Sequence, residues 1–212
     1  MFVLTENPSV ANKFLAELRD VQIQKDSLRF RKNLERLGEI MAYEVSKSFE
    51  FSPKDVKTPL ETTKVLLPKE KPVIFVILRA SLPFYQGFLN FFDNAESGFI
   101  GAFREEGETI KINLGYHASP SLEGKIVILA DPMLATGKSF MESITTLLQH
   151  GTPKIIHIAC VIAAPEGIQY IQEHLKIPYQ LWIGAIDEKL NADSYIVPGL
   201  GDAGDLAFGQ KL

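Results

Sequence analysis

Residues 126–139 limit most sharply what this chain can fold into. Five apolar residues, Ile126-Val127-Ile128-Leu129-Ala130, run straight into Asp131-Pro132-Met133-Leu134-Ala135-Thr136-Gly137-Lys138-Ser139. A short apolar run of β-type residues closed by turn residues reads as a buried strand. The amphipathic segment that opens at Lys138 and continues to about residue 149 reads as a helix. The turn between them has the composition of an anion site. Gly137 allows a tight reversal, while Thr136, Ser139 and the unpaired N–H groups of the first helical turn point donors at one spot. The helix dipole adds partial positive charge there. Asp131, at the strand tip, would repel a phosphate and suits instead two neighbouring sugar hydroxyls, which donate to a carboxylate. A phosphate beside a ribose is the predicted ligand. A nucleotide P-loop is rejected: it needs a glycine five positions before Gly137, and Pro132, which has no N–H, stands there. For this segment alone, a capped strand-to-helix turn without a ligand stays open.

The surrounding pattern places the motif. Strands are predicted at 73–78, 98–103, 126–130, 155–162 and 179–185, with helices at 82–92, 138–149 and 166–175 between them. Such alternation implies right-handed crossovers, a mostly parallel sheet and helices on both faces: an α/β fold. Upstream, Asp26 is placed to cap a long helix whose Phe30, Leu34, Leu37, Met41 and Val45 share one face. Residues 53–69, with Pro53, Pro59 and Pro68, read as an extended arm or hairpin. Neither repeats nor a linker interrupt the 212 residues, so one domain over 1–212 is expected. The polar stretch 104–124 exceeds an ordinary strand-to-helix turn and is expected to be a lid or binding loop.

In open α/β sheets, ligands bind beyond the carboxyl ends of the strands. Arg79 and Arg104 are predicted at two of those ends, next to Asp131 at a third, and arginine offers planar, permanently charged donation to phosphate oxygens. Two arginines beside a phosphate loop exceed the needs of one monophosphate. The segment Tyr195-Ile-Val-Pro-Gly-Leu-Gly-Asp-Ala-Gly-Asp205 packs small residues closely enough for backbone groups to approach a flat ligand.

These residues carry a resemblance. ILADPMLATGKS (128–139) resembles the phosphoribosyl-diphosphate loop of type I phosphoribosyltransferases, ILRA (77–80) is similar to their pyrophosphate loop, and YIVPGLGDAGD (195–205) resembles the uracil-recognition segment of uracil phosphoribosyltransferases. Leu18-Arg19-Asp20, Phe30-Arg31 and Ala42-Tyr43-Glu44 match the family's N-terminal pattern, so the likeness spans nearly the whole chain. It implies the type I fold with an N-terminal helical region, a β-arm and a C-terminal uracil-binding segment. It also implies the reaction of uracil with phosphoribosyl diphosphate and Mg²⁺ to give UMP and pyrophosphate. By matching position, Asp131, Pro132, Met133, Leu134, Ala135, Thr136, Gly137, Lys138 and Ser139 hold the phosphoribosyl group. Within that loop, Asp131 takes the ribose hydroxyls, and Ala135 to Ser139 wrap the 5′-phosphate. Arg79 and Arg104 bind the pyrophosphate and stabilise its leaving charge. Ile196, Gly201, Asp202 and Ala203 surround uracil, and Asp202 either reaches the Mg²⁺-diphosphate or helps remove the N1 proton. The cation is expected to arrive with the diphosphate rather than in a protein cage. A homodimer or larger homo-oligomer is expected.

Three departures from the family pattern stand out: Lys138 in place of a glycine, Ser81 in place of a glycine after Ala80, and Ile112-Asn-Leu-Gly-Tyr-His117 where paired tyrosines are usual. Ser81 either donates to the diphosphate or crowds it. These changes leave open a catalytically weak protein that binds uracil or UMP as a sensor. A nucleic-acid-binding role is disfavoured, since the net charge is −4 and no Lys/Arg cluster compensates for it. No apolar run reaches membrane-span length and no basic segment precedes an apolar one at the start, so a soluble cytoplasmic protein is expected. The four histidines (117, 150, 157, 174) lack metal-ligand spacing, with His117 in the expected lid the one to watch, and Cys160 and Trp182 are expected in the core.

Overall fold

The computed structural model describes residues 1–101 and 120–210. In chain order the elements are β1 (Phe2–Val3), α1 (Val10–Arg19), α2 (Ser27–Ser46), β2 (Phe51–Lys57), β3 (Thr62–Pro68), β4 (Val73–Leu78), α3 (Leu82–Phe91), β5 (Glu96–Gly101), β6 (Ile126–Ala130), β7 (Met133–Leu134), α4 (Lys138–Leu147), β8 (Ile155–Ala163), α5 (Pro165–His174), β9 (Tyr179–Ile186), β10 (Lys189–Leu190), β11 (Ile196–Val197) and α6 (Ala203–Phe208). Seven strands form one parallel sheet in the order β1-β9-β8-β6-β4-β5, with β7 also paired to β8.

The continuous apolar runs of the central strands follow from burial on both faces. Along β4, Val73, Phe75 and Ile77 pack with Phe140, Ile144, Ile168 and Ile171 of α4 and α5. The alternate residues Ile74 and Val76 face Phe30, Leu34, Met41, Phe84 and Phe88 of α2 and α3. The cap expected at Asp26 is present, its carboxylate accepting the Arg29 N–H at 3.1 Å. All five predicted core positions of α2 are buried. Cys160 and Trp182 are buried as expected. The indole N–H of Trp182 donates to His157 Nδ1 at 2.9 Å. Burial alone lowers the His157 pKa from 6.5 to about 4, which keeps that imidazole a neutral acceptor. Among the described residues no helix is long and apolar enough to cross a membrane.

The arm is a two-stranded antiparallel hairpin, β2 with β3, in register from Phe51↔Pro68 to Lys57↔Thr62. Its base is tied down by Lys154, which donates to Glu50 and Glu70. Three features depart from expectation. The strand predicted at 98–103 begins two residues earlier, at Glu96, and residues 102–103 lie outside the described part. Met133–Leu134, read as loop, form a short strand beside Ile162–Ala163. The cause is Pro132, whose carbonyl accepts the N–H groups of both Val161 and Ile162 at 3.0 Å and draws the chain alongside β8. Finally, β1, β10 and β11 carry no signal of their own, each being two residues long.

Candidate active site

From β4 the chain passes to β5 on one side and then to β6 on the other, so the strand order reverses between β4 and β6. The crevice beyond the carboxyl ends at such a reversal is where open α/β sheets bind ligands. Val76 of β4 lies opposite Ala130 of β6, and these two strands deliver Arg79 and Asp131 to that crevice.

On the β6 side, Asp131 is half-buried and its carboxylate accepts the Met133 N–H at 2.9 Å. Loss of water around the carboxyl raises its pKa from 3.8 to about 7, against the lowering effect of that hydrogen bond. Ribose hydroxyls donating to it would restore the charged form. The main chain behind it is sewn to β8: the Asp131 N–H donates to Ala159 O at 3.1 Å and the Ala164 N–H to Leu134 O at 2.9 Å. Leu134 and Pro132 are buried, and their carbonyls are already taken by Ala164 and by Val161 and Ile162, so they shape the loop from behind rather than offering a ligand donors or acceptors. Met133, Ala135, Thr136 and Ser139 are half-buried and Lys138 is exposed. Gly137 has φ +79° at the start of α4, and a Cβ there would lie 2.9 Å from Gly167 O. A Cβ on Gly167 would in turn meet Ala135 O at 2.2 Å, so α5 braces the back of the loop. Thr136 Oγ1 accepts the Lys138 N–H at 3.4 Å.

On the β4 side, Arg79 Nη2 donates to Asp205 Oδ1 at 3.2 Å and to Gly209 O at 3.1 Å. Its Nε is buried without a hydrogen-bond partner among the described residues, while the side chain as a whole is 39% exposed, so the protein does not saturate the guanidinium. Ser81 is fully buried, and its hydroxyl donates to the carbonyl of Ile77 near the end of β4. That donor is spent inside the protein, and the backbone there is right-handed helical, with φ −74°, a conformation any residue adopts. Arg104, His117 and the rest of the expected lid lie outside the described residues, apart from its last part at 120–124.

The glycine-rich tail reaches the same edge. A Cβ added to Gly204 would fall 3.1 Å from Asp202 Oδ1 and 3.8 Å from Arg79 Nη2. Arg79, Asp202 and Asp205 therefore gather around one small residue. Asp202 Oδ1 caps α6 by accepting the Asp205 N–H at 3.0 Å. Gly201 is exposed with φ +88°. The side chains of Ile196 and Ala203 are buried at 4% and 1% exposure, which leaves their backbone groups for a base to meet.

Sequence reasoning missed four residues. Gly167 braces the loop from behind and Asp205 holds Arg79. Arg19 and Asp187 grip the tail: Arg19 Nη1 donates to Asp187 Oδ2 and to Gly199 O, both at 2.9 Å, and Asp187 Oδ2 also accepts the Gly199 N–H at 2.8 Å. Arg19 had a signal in its place in the N-terminal pattern. Asp205, at the end of the quoted tail, was within reach as well.

The chain is similar to known proteins along almost its full length. The family model described as "Uracil phosphoribosyltransferase" matches residues 4–210. A uracil phosphoribosyltransferase of Porphyromonas gingivalis is 48% identical over 206 residues, covering 96% of this chain and 95% of the relative. One from Pyrococcus furiosus is 40% identical, covering 94% and 86%. A protein of solved structure from Aquifex aeolicus superposes with a TM-score of 0.86 at 34% identity, covering 98% of both chains. A hypoxanthine-guanine phosphoribosyltransferase from Bacillus anthracis shares the fold alone, with a TM-score of 0.51 at 16% identity, covering 76% and 80%. The sheet, the helices on both faces and these neighbours agree on a type I phosphoribosyltransferase fold, and the chain belongs to the uracil phosphoribosyltransferase family.

Proposed function

We propose that this protein transfers the 5-phosphoribosyl group from phosphoribosyl diphosphate to N1 of uracil, giving UMP and pyrophosphate. The observation that carries the reading is the meeting of the tail with Arg79 at the crevice that also holds the Asp131 loop. One edge thus offers a place for each part of the two substrates.

The bond from the anomeric carbon to the diphosphate oxygen breaks, and its electron pair leaves with pyrophosphate. The N1–carbon bond forms as N1 loses its proton. Arg79, whose side chain is 39% exposed, binds the departing charge, and Arg104 is the second cation in this reading. Asp131 orients the ribose through its hydroxyls, and the backbone of 135–139 holds the 5′-phosphate at the start of α4. Backbone groups of Ile196, Gly201 and Ala203 read the uracil edge. One Asp202 oxygen is occupied in capping α6, and the other is available to the N1 proton or to the cation. Positioning and electrostatic stabilisation account for the rate, with no covalent intermediate on the protein.

Among the described residues no group of three or more His, Cys, Asp or Glu side chains forms a metal cage. This suits Mg²⁺, which keeps several waters and binds through substrate phosphates plus one or two carboxylates, here Asp202. When bound, it neutralises diphosphate charge. Self-association completes the proposal. The arm is exposed along nearly its whole length, with Leu60 97% and Leu66 64% exposed, and a second copy of the chain is its expected cover. A reducing cytoplasm suits the single buried thiol, Cys160.

The test is UMP formation from labelled uracil, phosphoribosyl diphosphate and Mg²⁺. UMP and pyrophosphate should form in equal amounts, and Asp202→Asn should lower the rate about 100-fold. Binding of uracil or UMP without turnover would overturn the enzyme reading in favour of a sensor, which no observation here favours.

A further inference from the structure

We infer that Arg19 and Asp187 are positioning residues for uracil, acting through the main chain at Gly199. The inference rests on the reading above. Asp187 follows β9, and its own N–H donates to Ala163 O at the end of β8 at 2.8 Å, so the carboxylate is fixed to the sheet. Its side chain is 4% exposed, and that of Arg19, in the last turn of α1, is 25% exposed. The guanidinium is bidentate, with Nη2 on Asp187 Oδ1 at 2.5 Å and Nη1 on Oδ2 at 2.9 Å. Nη1 also holds the Gly199 carbonyl, while Asp187 Oδ2 holds the Gly199 N–H. Both polar groups of one residue are therefore gripped by side chains 168 positions apart in the sequence.

Gly199 adopts φ +65°, and a Cβ there would lie 2.0 Å from Ile196 O, so the turn is tight as well as gripped. The next residue is held too. Gln24 Nε2 donates to Leu200 O at 3.3 Å and to Leu18 O at 2.8 Å. Gly199 stands between Ile196 and Gly201, inside the 196–203 segment assigned to the base. Successive Cα atoms are about 3.8 Å apart, so a rotation at 199 displaces the backbone groups of 201 and 203 directly. A base read by backbone groups has no flexible side chain to absorb that error. A displacement of about 1 Å at a reacting centre costs about 100-fold.

The experiment measures kcat and the KM for each substrate in the wild type, Arg19→Lys, Asp187→Asn and Gln24→Ala, with melting temperature as the folding control. Arg19→Lys keeps the charge and loses the fork, so it separates geometry from charge. Arg19→Lys and Asp187→Asn should each raise the KM for uracil about 10- to 100-fold, with the KM for phosphoribosyl diphosphate within about twofold of wild type. Gln24→Ala, which removes no charge, should shift the uracil KM alone by about threefold to tenfold and keeps the test decisive if the charged variants do not fold. Equal rises in both KM values, or an unchanged uracil KM with a lowered melting temperature, would mean a structural role and overturn the inference alone. A wild type that makes no UMP would overturn the parent reading first.

Discussion

The two halves of the crevice are built in opposite ways. The half proposed for the sugar phosphate is local: Asp131, the loop and the start of α4 are contiguous, and their supports are the neighbouring strand β8 and the first turn of α5. The half proposed for the base is assembled from afar, with Gly199 held by Arg19 and Asp187, Leu200 by Gln24, and Ala207 by Arg31 Nη1 at 2.7 Å. A local loop can be shaped by its own turn residues. A backbone that reads a flat base must instead be pinned by groups from outside it. The difference teaches that ligand chemistry sets how far away a site's supports must come from.

The sharpest way to break this comparison is to add one methyl group to each half. In Gly167→Ala the new Cβ meets Ala135 O at 2.2 Å, and in Gly199→Ala it meets Ile196 O at 2.0 Å at a positive φ. We expect Gly167→Ala to raise the KM for phosphoribosyl diphosphate about 100-fold and Gly199→Ala to do the same for uracil, each sparing the other substrate. Steady-state kinetics with both substrates varied would show it. Equal damage to both constants in either variant would mean that the halves move as one body.

A second prediction sharpens the contrast through pH. Asp131 keeps its proton when folded up to about pH 7 and when unfolded only to 3.8, so its ionisation weakens the fold as pH rises through that window. His157 behaves oppositely: unfolded it binds a proton below 6.5, folded only below about 4, so its stabilising effect is present above pH 6.5 and lost as pH falls. Between pH 4.5 and 6.5 the two slopes, each about 1.4 kcal/mol per pH unit, oppose one another. Urea unfolding of the wild type across that range should be nearly flat with respect to these groups. Asp131→Asn should lose stability on acidification, and His157→Gln should gain it. Parallel profiles for all three proteins would refute the assignment. Phosphoribosyl diphosphate should also bind more weakly as pH drops below about 7, a dependence that Asp131→Asn removes.

The smallest effect is expected at Asp205. Its ion pair with Arg79 is partly exposed, with side chains 39% and 34% accessible, so it contributes little. A diphosphate must compete with that carboxylate for the guanidinium. Asp205→Asn should lower the KM for phosphoribosyl diphosphate by less than about fivefold and leave uracil unaffected. A rise in that KM would show that Asp205 presents Arg79 rather than withholding it.

What the amino-acid sequence made legible follows the same division. β4 and β6 are uninterrupted apolar runs, and β8 is one broken only by His157, because helices cover both sheet faces, and each was placed to within a residue. The edge strand β5 was misplaced by two residues: its polar start, Glu96-Ser97, hides the strand, and the Glu96 carboxylate is taken up by Lys125. β1 exists because Phe2 and Val3 find Trp182 and Ile183, a pairing invisible to local periodicity. In the site, the loop and the tail announced themselves through glycines and carboxylates at close spacing. Gly167 did not, because its reason for being glycine is a carbonyl on another element. Asp187 did not either, since an aspartate after a strand reads as a turn residue until its arginine is known.

The grip of Arg19, Gln24 and Arg31 on residues 199–207 also imposes an order in time. Synthesis runs from the amino end, so α1 and α2 emerge well before the carbonyls they are to hold, and β1 waits for β9. A nascent chain that has reached residue 186 already contains residues 131–139, but none of the 196–203 segment proposed to meet the base. On the proposed reading, selectivity for the base is therefore the last property the chain acquires as it is made.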